Sequence, residues 1–350
     1  MNVNYMVSLL AVVILFLLAF LGVEVAGLET LFGVIIPDLA LATFIVGFIY
    51  RVVDWARSPV PFRIPSTCGQ QKSLPWIKPA RIDNPATGGG VIIRMLLEIF
   101  CFRSLFRNTK HRLKEGGRIS YEWEKWLWLG AIVFHYAFLT VLIRHFRFFL
   151  EPVPVCLQFL EQVDGFLQLG LPIVMMSGFA LLAAVLYLLL RRIFIPQVRY
   201  ISLAADYFPL FLVIGVVISG LLMRYYTKVD VVGIKGLTMG LVTFQPIIPQ
   251  DVSGLFYVHL FFVSVLFAYI PFSKLMHMGG IFMSPTRNLA NNSRVVHHVN
   301  PWNYPVKVHT YPEYEDEFRE KMVEAGLPVE KEIEAVPQQE EAAAPQEEKE

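Results

Sequence analysis

Six apolar stretches, each about as long as a bilayer core is thick, dominate this sequence and leave few folds open to it. They cover about residues 5–26, 32–53, 125–147, 169–191, 204–224 and 253–276. A helix needs roughly 20 mostly apolar residues to cross a bilayer. Hydrophobic residues make up 55% of the 350 positions and the mean hydropathy is +0.52, values that exclude an ordinary soluble domain. The sequence therefore predicts an all-α membrane protein, a bundle of about six transmembrane helices.

The charges between these stretches predict the orientation of the bundle. Segment 54–122 contains 12 Lys and Arg against five Asp and Glu, and segment 191–203 contains three Arg and no acid. Segment 148–168 has the opposite sign, with three acids and no Lys or Arg. Because short basic loops stay in the cytoplasm, we expect an N-in, C-in multi-pass protein of the inner (cytoplasmic) membrane. The first stretch is expected to be retained, since residues 1–6 lack the basic residues of a signal peptide.

Four regions follow from this layout. Residues 1–53 form two N-terminal transmembrane helices, 54–122 a basic cytoplasmic loop, 123–290 a four-helix core and 291–350 a cytoplasmic tail. Within the loop, the apolar run 91–106 fits either a helix lying on the membrane surface or a short packed soluble helix. Residues 313–350 hold 14 Asp and Glu against four Lys and Arg. We expect this acidic tail to be disordered after about residue 327.

Four histidines on two of the apolar segments carry the strongest functional signal. His135 and His145 lie ten residues apart in the third stretch, and His259 and His277 lie 18 residues apart in and just after the sixth. Helices three and six run in opposite directions, so matching depths pairs His135 with His277 and His145 with His259. On straight helices the two axial separations are about 15 Å and about 27 Å. A tilt, or a bend at Pro271, must absorb the difference.

Paired histidines at two membrane depths predict two haems, each held by two imidazoles through its iron. Such ligation leaves no open iron position, which suits electron transfer. The sequence has no CxxCH motif for covalent attachment, so we expect two non-covalent b-type haems. Two alternatives stay open: the histidines act as polar contacts in a haem-free membrane anchor, or they form a metal transporter. Metal relays usually add carboxylates or thiolates within the spans.

Polar residues near the expected outer surface are candidates for further contacts. Arg144 and Arg147 flank His145, and Arg224 ends the fifth stretch on the same side. These guanidiniums suit haem propionates, although arginines also extend to the interface without a ligand.

Three motifs resemble a known family. The histidine spacings, with 145-HFRFFLEP-152, 190-LRRIFIPQVR-199 and 271-PFSKLMH-277, resemble the dihaem cytochrome b γ subunits of respiratory nitrate reductases over about residues 125–290. The additional N-terminal helix and the long basic loop depart from those subunits. With these two additions, the chain looks most like the DsrM-type group, the membrane cytochromes b of the DsrMKJOP complex of sulfur-metabolising prokaryotes. The cytochrome b subunit of membrane-bound heterodisulfide reductase is also similar.

The resemblance implies a function for the histidine pairs. It assigns His135 and His277 to the haem nearer the cytoplasm, and His145 and His259 to the haem nearer the outside. It also implies menaquinone as substrate beside the outer haem. The expected partners are a cytoplasmic heterodisulfide-reductase-like (DsrK-like) iron–sulfur protein, other Dsr complex subunits and the lipid bilayer, with no nucleic acid. The chain would then be an electron-transfer subunit of dissimilatory sulfur metabolism, or alternatively a true γ subunit of a nitrate reductase.

One contact of the nitrate reductase relatives does not carry over. In those relatives a lysine near the outer start of the next helix contacts quinone, but residues 148–190 here contain no Lys or Arg. We expect Asp164, Gln168 or Arg147 to take its place.

Overall fold

Six helices of the computed structural model are long and apolar enough to cross a membrane, which confirms the predicted number of spans. Their bounds are Asn4–Glu24, Leu31–Arg57, Lys125–Phe148, Met176–Phe194, Ala204–Thr227 and Gly254–Phe272. The structure describes residues 3–58, 69–165, 172–250, 252–296, 305 and 308–331. These helices identify the chain as a multi-pass membrane protein, because a helix satisfies its backbone hydrogen bonds internally in lipid.

The spans and the elements between them follow in chain order. The helices are α1 (Asn4–Glu24), α2 (Ile36–Arg57, after a π-helical turn at Leu31–Ile35), α3 (Gly88–Cys101), α4 (Arg103–Phe106), α5 (Lys125–His145), α6 (Val155–Asp164), α7 (Met176–Phe194), α8 (Pro196–Ile201), α9 (Ala204–Leu222), α10 (Val231–Thr243), α11 (Gly254–Tyr269), α12 (His277–Met283), α13 (Pro285–Asn288) and α14 (Tyr311–Glu324). Strands β1 (Thr109–Leu113) and β2 (Ile119–Trp123) pair antiparallel, with Thr109 opposite Trp123.

The bundle packs around α9 and α11. Helix α9 contacts α1, α7 and α11, while α11 also contacts α1 and α2. The buried core includes Leu212 of α9, Val258 and Phe262 of α11, and Val185 of α7. Helix α5 packs against α7. Among the described helices, α5 and α11 do not share close backbone packing.

The fourth span begins later than predicted. The apolar pattern suggested a start near residue 169, but α7 begins at Met176. Before it, the backbone makes tertiary hydrogen bonds: Met175 N–H donates to the Tyr225 hydroxyl (2.8 Å), and the Ile173 carbonyl accepts from Arg224 (3.2 Å). The Asp164 carboxylate accepts the Ser177 N–H at 2.7 Å, satisfying one of the free donors at the start of α7. Apolar composition alone does not reveal such a capped, non-helical entry.

The sixth span breaks where a bend was expected. Helix α11 ends at Tyr269, two 3₁₀ turns follow at Ile270–Phe272 and Lys274–Met276, and His277 is the first residue of α12. Pro271 lacks an N–H and cannot continue an α-helix without loss of a hydrogen bond. The break packs against α2, where a Cβ added to Gly47 would lie only 2.7 Å from the Pro271 Cβ. His277 therefore belongs to a separate short helix positioned by α2.

The segment between the second and third spans folds against the segment after α12. Run 91–106, predicted to be apolar and helical, forms α3 and α4. Arg94 and Glu98 are the buried polar residues of α3, and Arg94 donates to the Thr286 carbonyl at 3.1 Å. The apolar side chains on the other face, including Ile92 and Leu96, are exposed. This arrangement fits a helix whose apolar face meets lipid.

The part of the tail that the structure describes is a small unit of its own. Backbone contacts divide the chain into residues 1–298 and 299–350. In the second unit, Thr310 and Glu313 form a capping box at the start of α14. The buried Glu315 carboxylate accepts the backbone N–H groups of Glu330 and Lys331, and these hydrogen bonds lower its pKa. Most of the stretch predicted to be disordered, residues 332–350, lies outside the described residues.

Candidate functional site

The structure brings the four histidines together as two pairs. The ring centroids of His135 and His277 lie 6.0 Å apart, and those of His145 and His259 lie 6.2 Å apart. The planes cross at 85° in the first pair and at 18° in the second. The partners are those that the helix spacing matched by depth. The break after Pro271 supplies the change in axial position that straight helices lacked.

The separation of each pair fits one iron between two imidazoles. A metal–imidazole bond is about 2 Å long, and a ring nitrogen lies about 1 Å from the ring centroid. Two imidazoles on opposite sides of one metal therefore have centroids about 6 Å apart. Both observed distances agree with this value. Direct hydrogen bonds between imidazoles would not require the two pairs to have the same separation.

The hydrogen bonds of the four rings leave the same nitrogen available in each. In α5, His135 Nδ1 contacts the Ala131 carbonyl and His145 Nδ1 the Val141 carbonyl, both at 2.7 Å. His277 Nδ1 lies 2.9 Å from the Lys274 carbonyl. Carbonyl acceptors require the proton on Nδ1, so Nε2 keeps its lone pair for a metal.

Ser219 of α9 plays the corresponding part for His259. Its hydroxyl oxygen lies 2.9 Å from His259 Nδ1 and 2.7 Å from the Gly215 carbonyl. With the hydroxyl donating to Gly215, its oxygen can accept from Nδ1. Metal-binding histidines almost always donate their second ring N–H in this way, so all four imidazoles fit a haem iron. Sequence reasoning missed Ser219, although a lone serine deep in an apolar helix is a signal that could have found it.

Two of the rings, those of His135 and His259, have close neighbours on other elements. Phe102 and Phe134 lie with ring centroids 4.9 and 5.2 Å from that of His135. Phe102 has a φ of 49°, which a bulky side chain adopts only when its surroundings hold it there. At the other pair, a Cβ added to Gly220 would lie 3.3 Å from His259 Cε1. Glycine thus lets α9 approach the imidazole.

Arg144 and Asp164 form a buried ion pair near His145. Arg144 Nη1 lies 2.6 Å from Asp164 Oδ2 and 3.1 Å from the Ser177 hydroxyl. Asp164 also accepts the Ser177 hydroxyl at 2.6 Å. The carboxylate thus holds Arg144 in place and anchors the start of α7.

The other candidates at this end have different partners. Arg147 Nη1 donates to both carboxylate oxygens of Glu161, at 2.8 and 2.9 Å. Arg224 donates to the Ile173 carbonyl, and the Nε atoms of Arg144 and Arg224 are both buried without a hydrogen-bond partner in the described part of the chain. These two guanidiniums have donors left for an anionic ligand. Gln168 lies outside the described residues.

The described residues offer no alternative metal centre. Among them, no group of three or more His, Cys, Asp and Glu side chains could hold a metal ion. The histidines instead meet two by two, an arrangement that suits a ligand whose other four iron bonds come from a porphyrin.

Comparisons with known proteins agree with this architecture. Residues 95–298 match the family model described as nitrate reductase gamma subunit. A protein of Archaeoglobus fulgidus named "Hdr-like menaquinol oxidoreductase cytochrome b-like subunit" is 49% identical over 280 residues, which cover 78% of this chain and 83% of that protein. A protein of Archaeoglobus profundus with the same name is 43% identical over 275 residues, covering 77% and 81%. Since the family model matches more than half of the sequence and both relatives cover most of it, the chain belongs to the nitrate reductase gamma subunit family.

Proposed function

We propose that this chain is a membrane cytochrome b that carries two b-type haems and exchanges electrons between menaquinone and a cytoplasmic iron–sulfur subunit. The observation that carries this proposal is the matched pair of imidazole separations, 6.0 and 6.2 Å, with every Nδ1 engaged by the protein. Each bound haem would supply a one-electron carrier with both axial positions filled.

The chain's own residues hold and orient these groups. His135 and His277 would ligate one haem, and His145 and His259 the other. Hydrogen bonds from Nδ1 fix each ring's orientation and increase its basicity. With both histidine pairs holding haem, the chain would transfer electrons, and we assign it no catalytic residues of its own.

Orientation follows from charge. Basic segments 54–122 and 191–203 would face the cytoplasm, which puts His135 and His277 near the cytoplasmic side. His145 and His259 would then lie near the outside of the cytoplasmic membrane. Electron transfer between the two sites would move charge across the membrane.

Menaquinone is proposed as the substrate near the outer pair. The support is the name of the two Archaeoglobus relatives, which describes a menaquinol oxidoreductase. Arg144 and Arg224 each have a buried Nε without a partner in the described residues, and these suit a propionate or a quinone oxygen. Arg147, Asp164 and Gln168 stay weaker candidates for direct contact, the first two because they pair with Glu161 and Arg144.

The cytoplasmic partner is proposed to be a DsrK-like, heterodisulfide-reductase-like iron–sulfur protein, with other subunits of a Dsr-type complex in dissimilatory sulfur metabolism. The relatives' name, "Hdr-like", supports a partner of this class. Basic side chains of segment 54–122 provide a docking face for an acidic partner.

The test is reduction of the haems by a menaquinol analogue in the assembled complex within native membranes. Stopped-flow absorbance should show both b-type haems reduced, with the outer haem reduced first. In a His145→Ala variant, quinol-driven reduction of the remaining haem should slow at least tenfold. Dithionite should still reduce that haem, which separates loss of quinol access from loss of haem. Two haems that never respond to menaquinol would contradict the proposed substrate, and a chain without haem would contradict the function.

A further inference from the structure

We propose that Arg51 and Arg287 bind the propionate carboxylates of the haem held by His135 and His277. This inference rests on the proposed function. Both arginines line a cavity of about 420 Å³ that also contains His277, Trp55, Ser273 and Ser284. The cavity lining contains two guanidiniums and no Asp or Glu. Its charge is therefore complementary to an anion.

Arg51 has a donor that none of the described residues satisfies. Its Nε is buried without a hydrogen-bond partner in the described part of the chain. Its guanidinium carbon lies 5.6 Å from the centre of the Trp55 ring, a cation–π contact that orients the group. A buried charged donor left without an acceptor is costly. An arginine that only extended toward water would not have its Nε sealed from solvent.

Arg287 lines the same cavity from a different helix. It belongs to α13, directly after the helix that begins with His277. In the described residues, neither Arg51 nor Arg287 forms an ion pair with a carboxylate, whereas six other arginines of this unit do. Two arginines that approach one cavity from different elements suit two carboxylates, because guanidinium groups bind carboxylates through paired hydrogen bonds.

One face of α2 is shaped to bring Arg51 to this position. Gly47 packs on Pro271. A Cβ added to Gly279 would lie 3.5 Å from the Phe48 ring, and one added to Gly280 would lie 3.5 Å from the Trp55 ring. Residues 47, 48, 51 and 55 recur at the spacing of one helix face. Glycines on both elements let α2 and α12 approach closely, and Arg51 then lies beside the residue that would ligate the iron.

The position of Arg51 suggests a role for the N-terminal helix α2 at the haem held by His135 and His277. The family match begins at residue 95, so α2 lies outside it. We infer that α2 supplies the inner haem with a positive charge and with the wall that supports His277. A lipid phosphate is the other anion with suitable chemistry, but His277 in the same lining favours a group attached to the haem.

The test is a redox titration of both haems in the assembled complex in native membranes, comparing wild type with Arg51→Gln, Arg51→Lys and Arg287→Gln. Loss of a positive charge beside a propionate should lower the midpoint potential of the inner haem and leave that of the outer haem unchanged. In Arg51→Lys the inner haem should keep most of its wild-type midpoint potential, because lysine retains the positive charge. Arg294→Gln, at an exposed position outside the cavity lining, is the matched control and should match wild type.

Several outcomes would overturn the inference. An unchanged inner potential in both Arg51→Gln and Arg287→Gln would do so, and so would equal shifts of both haems. Loss of co-purified anionic phospholipid at constant potentials would assign the arginines to lipid phosphate instead. If Arg51→Gln does not accumulate, Arg287→Gln decides alone. A wild-type protein without two haems would contradict the proposed function rather than this inference.

Discussion

Each of the four histidines would be oriented by one hydrogen bond at Nδ1. For three of them the partner is a backbone carbonyl three or four residues earlier in the chain, which no substitution of another side chain removes. His259 differs because its partner is the hydroxyl of Ser219 on a neighbouring helix. This makes the pair of His145 and His259 the one whose ligand strength is open to a simple mutation.

Ser219→Ala should weaken the outer site selectively. Removing the acceptor of a ligating imidazole typically costs about 10–100-fold in metal affinity, because the ring becomes less basic and less oriented. We expect about tenfold weaker retention of the outer haem and a higher midpoint potential for the fraction retained. Haem quantification and redox titration provide the two readouts. Ser264→Ala is the control, since among the described residues the hydrogen-bond partner of that hydroxyl is the Leu260 carbonyl of its own helix. An equal effect in both variants would contradict the assigned role.

Asp83 predicts a pH dependence in the basic loop. Burial alone would raise its pKa, but hydrogen bonds from Arg107 and Arg103 hold that pKa below its usual value. The carboxylate therefore stabilises the fold above its unfolded-state pKa, and this contribution is lost as the pH falls through the lowered folded-state value. For a partly exposed cluster we expect about 1 kcal/mol or less.

Hydrogen exchange of residues 69–107 measures this effect. After correction for the intrinsic pH dependence of amide exchange, the protection factors of this segment should fall once the pH drops below the ordinary range of an aspartate. Those of Asp83→Asn should already be lower than wild type near neutral pH. Exchange in Asp83→Asn that keeps the wild-type acid dependence would attribute the transition to another group.

At the scale of elements, the broken sixth span is the feature that aligns the two sites. Helix α5 carries its histidines ten residues apart, and the other two histidines are 18 residues apart in sequence. Helix α11 ends at Tyr269, and Ser273 between the two 3₁₀ turns has an extended backbone, so the 18 residues do not follow one straight helix. The break packs against α2, where Gly47 meets Pro271.

Gly47→Ala should disturb the inner site from a helix that contributes no ligand. The added Cβ would lie 2.7 Å from the Pro271 Cβ, and overpacking of this kind costs about 1–3 kcal/mol. We expect loss of inner haem, with the outer haem retained. Gly236→Ala makes the same substitution in α10, where no neighbouring atom lies within 4 Å. Normal haem content in Gly47→Ala would show that α2 does not support His277.

The sequence predicted some elements better than others, for physical reasons. Long apolar stretches are local signals, and Pro271 lies near the end of the sixth, so six spans and the bend at Pro271 could be predicted directly. The hairpin of β1 and β2 and the short helix α10 were not anticipated, because neither is long enough to have a distinct apolar period. The start of α7 depends on Asp164 and Tyr225, which are distant in sequence.

At the scale of the whole molecule, two pairs of side chains connect spans that do not pack closely together. The spacing of four histidines predicted which residues meet, since depth in a membrane orders residues along parallel axes. It could not predict Ser219 or Arg51, which reach the sites from α9 and α2 through tertiary packing. The family match covers neither N-terminal span, yet one of them supports the broken end of α11.

If each haem is held by two histidines, removing either histidine of a pair should remove the same haem. His135→Ala and His277→Ala, on different helices, should lose the same haem, and the double variant should lose no more than either single variant. His145→Ala and His259→Ala should behave likewise for the other haem. Combining His135→Ala with His145→Ala should remove both.

The most direct measurement is the reduced-minus-oxidised spectrum with haem quantification of the purified protein and these variants. The account predicts two b-type haems per chain, one in every single variant and one in each double variant within a pair. Two haems retained in any single variant would contradict the pairing. No haem in the intact protein would contradict the central claim.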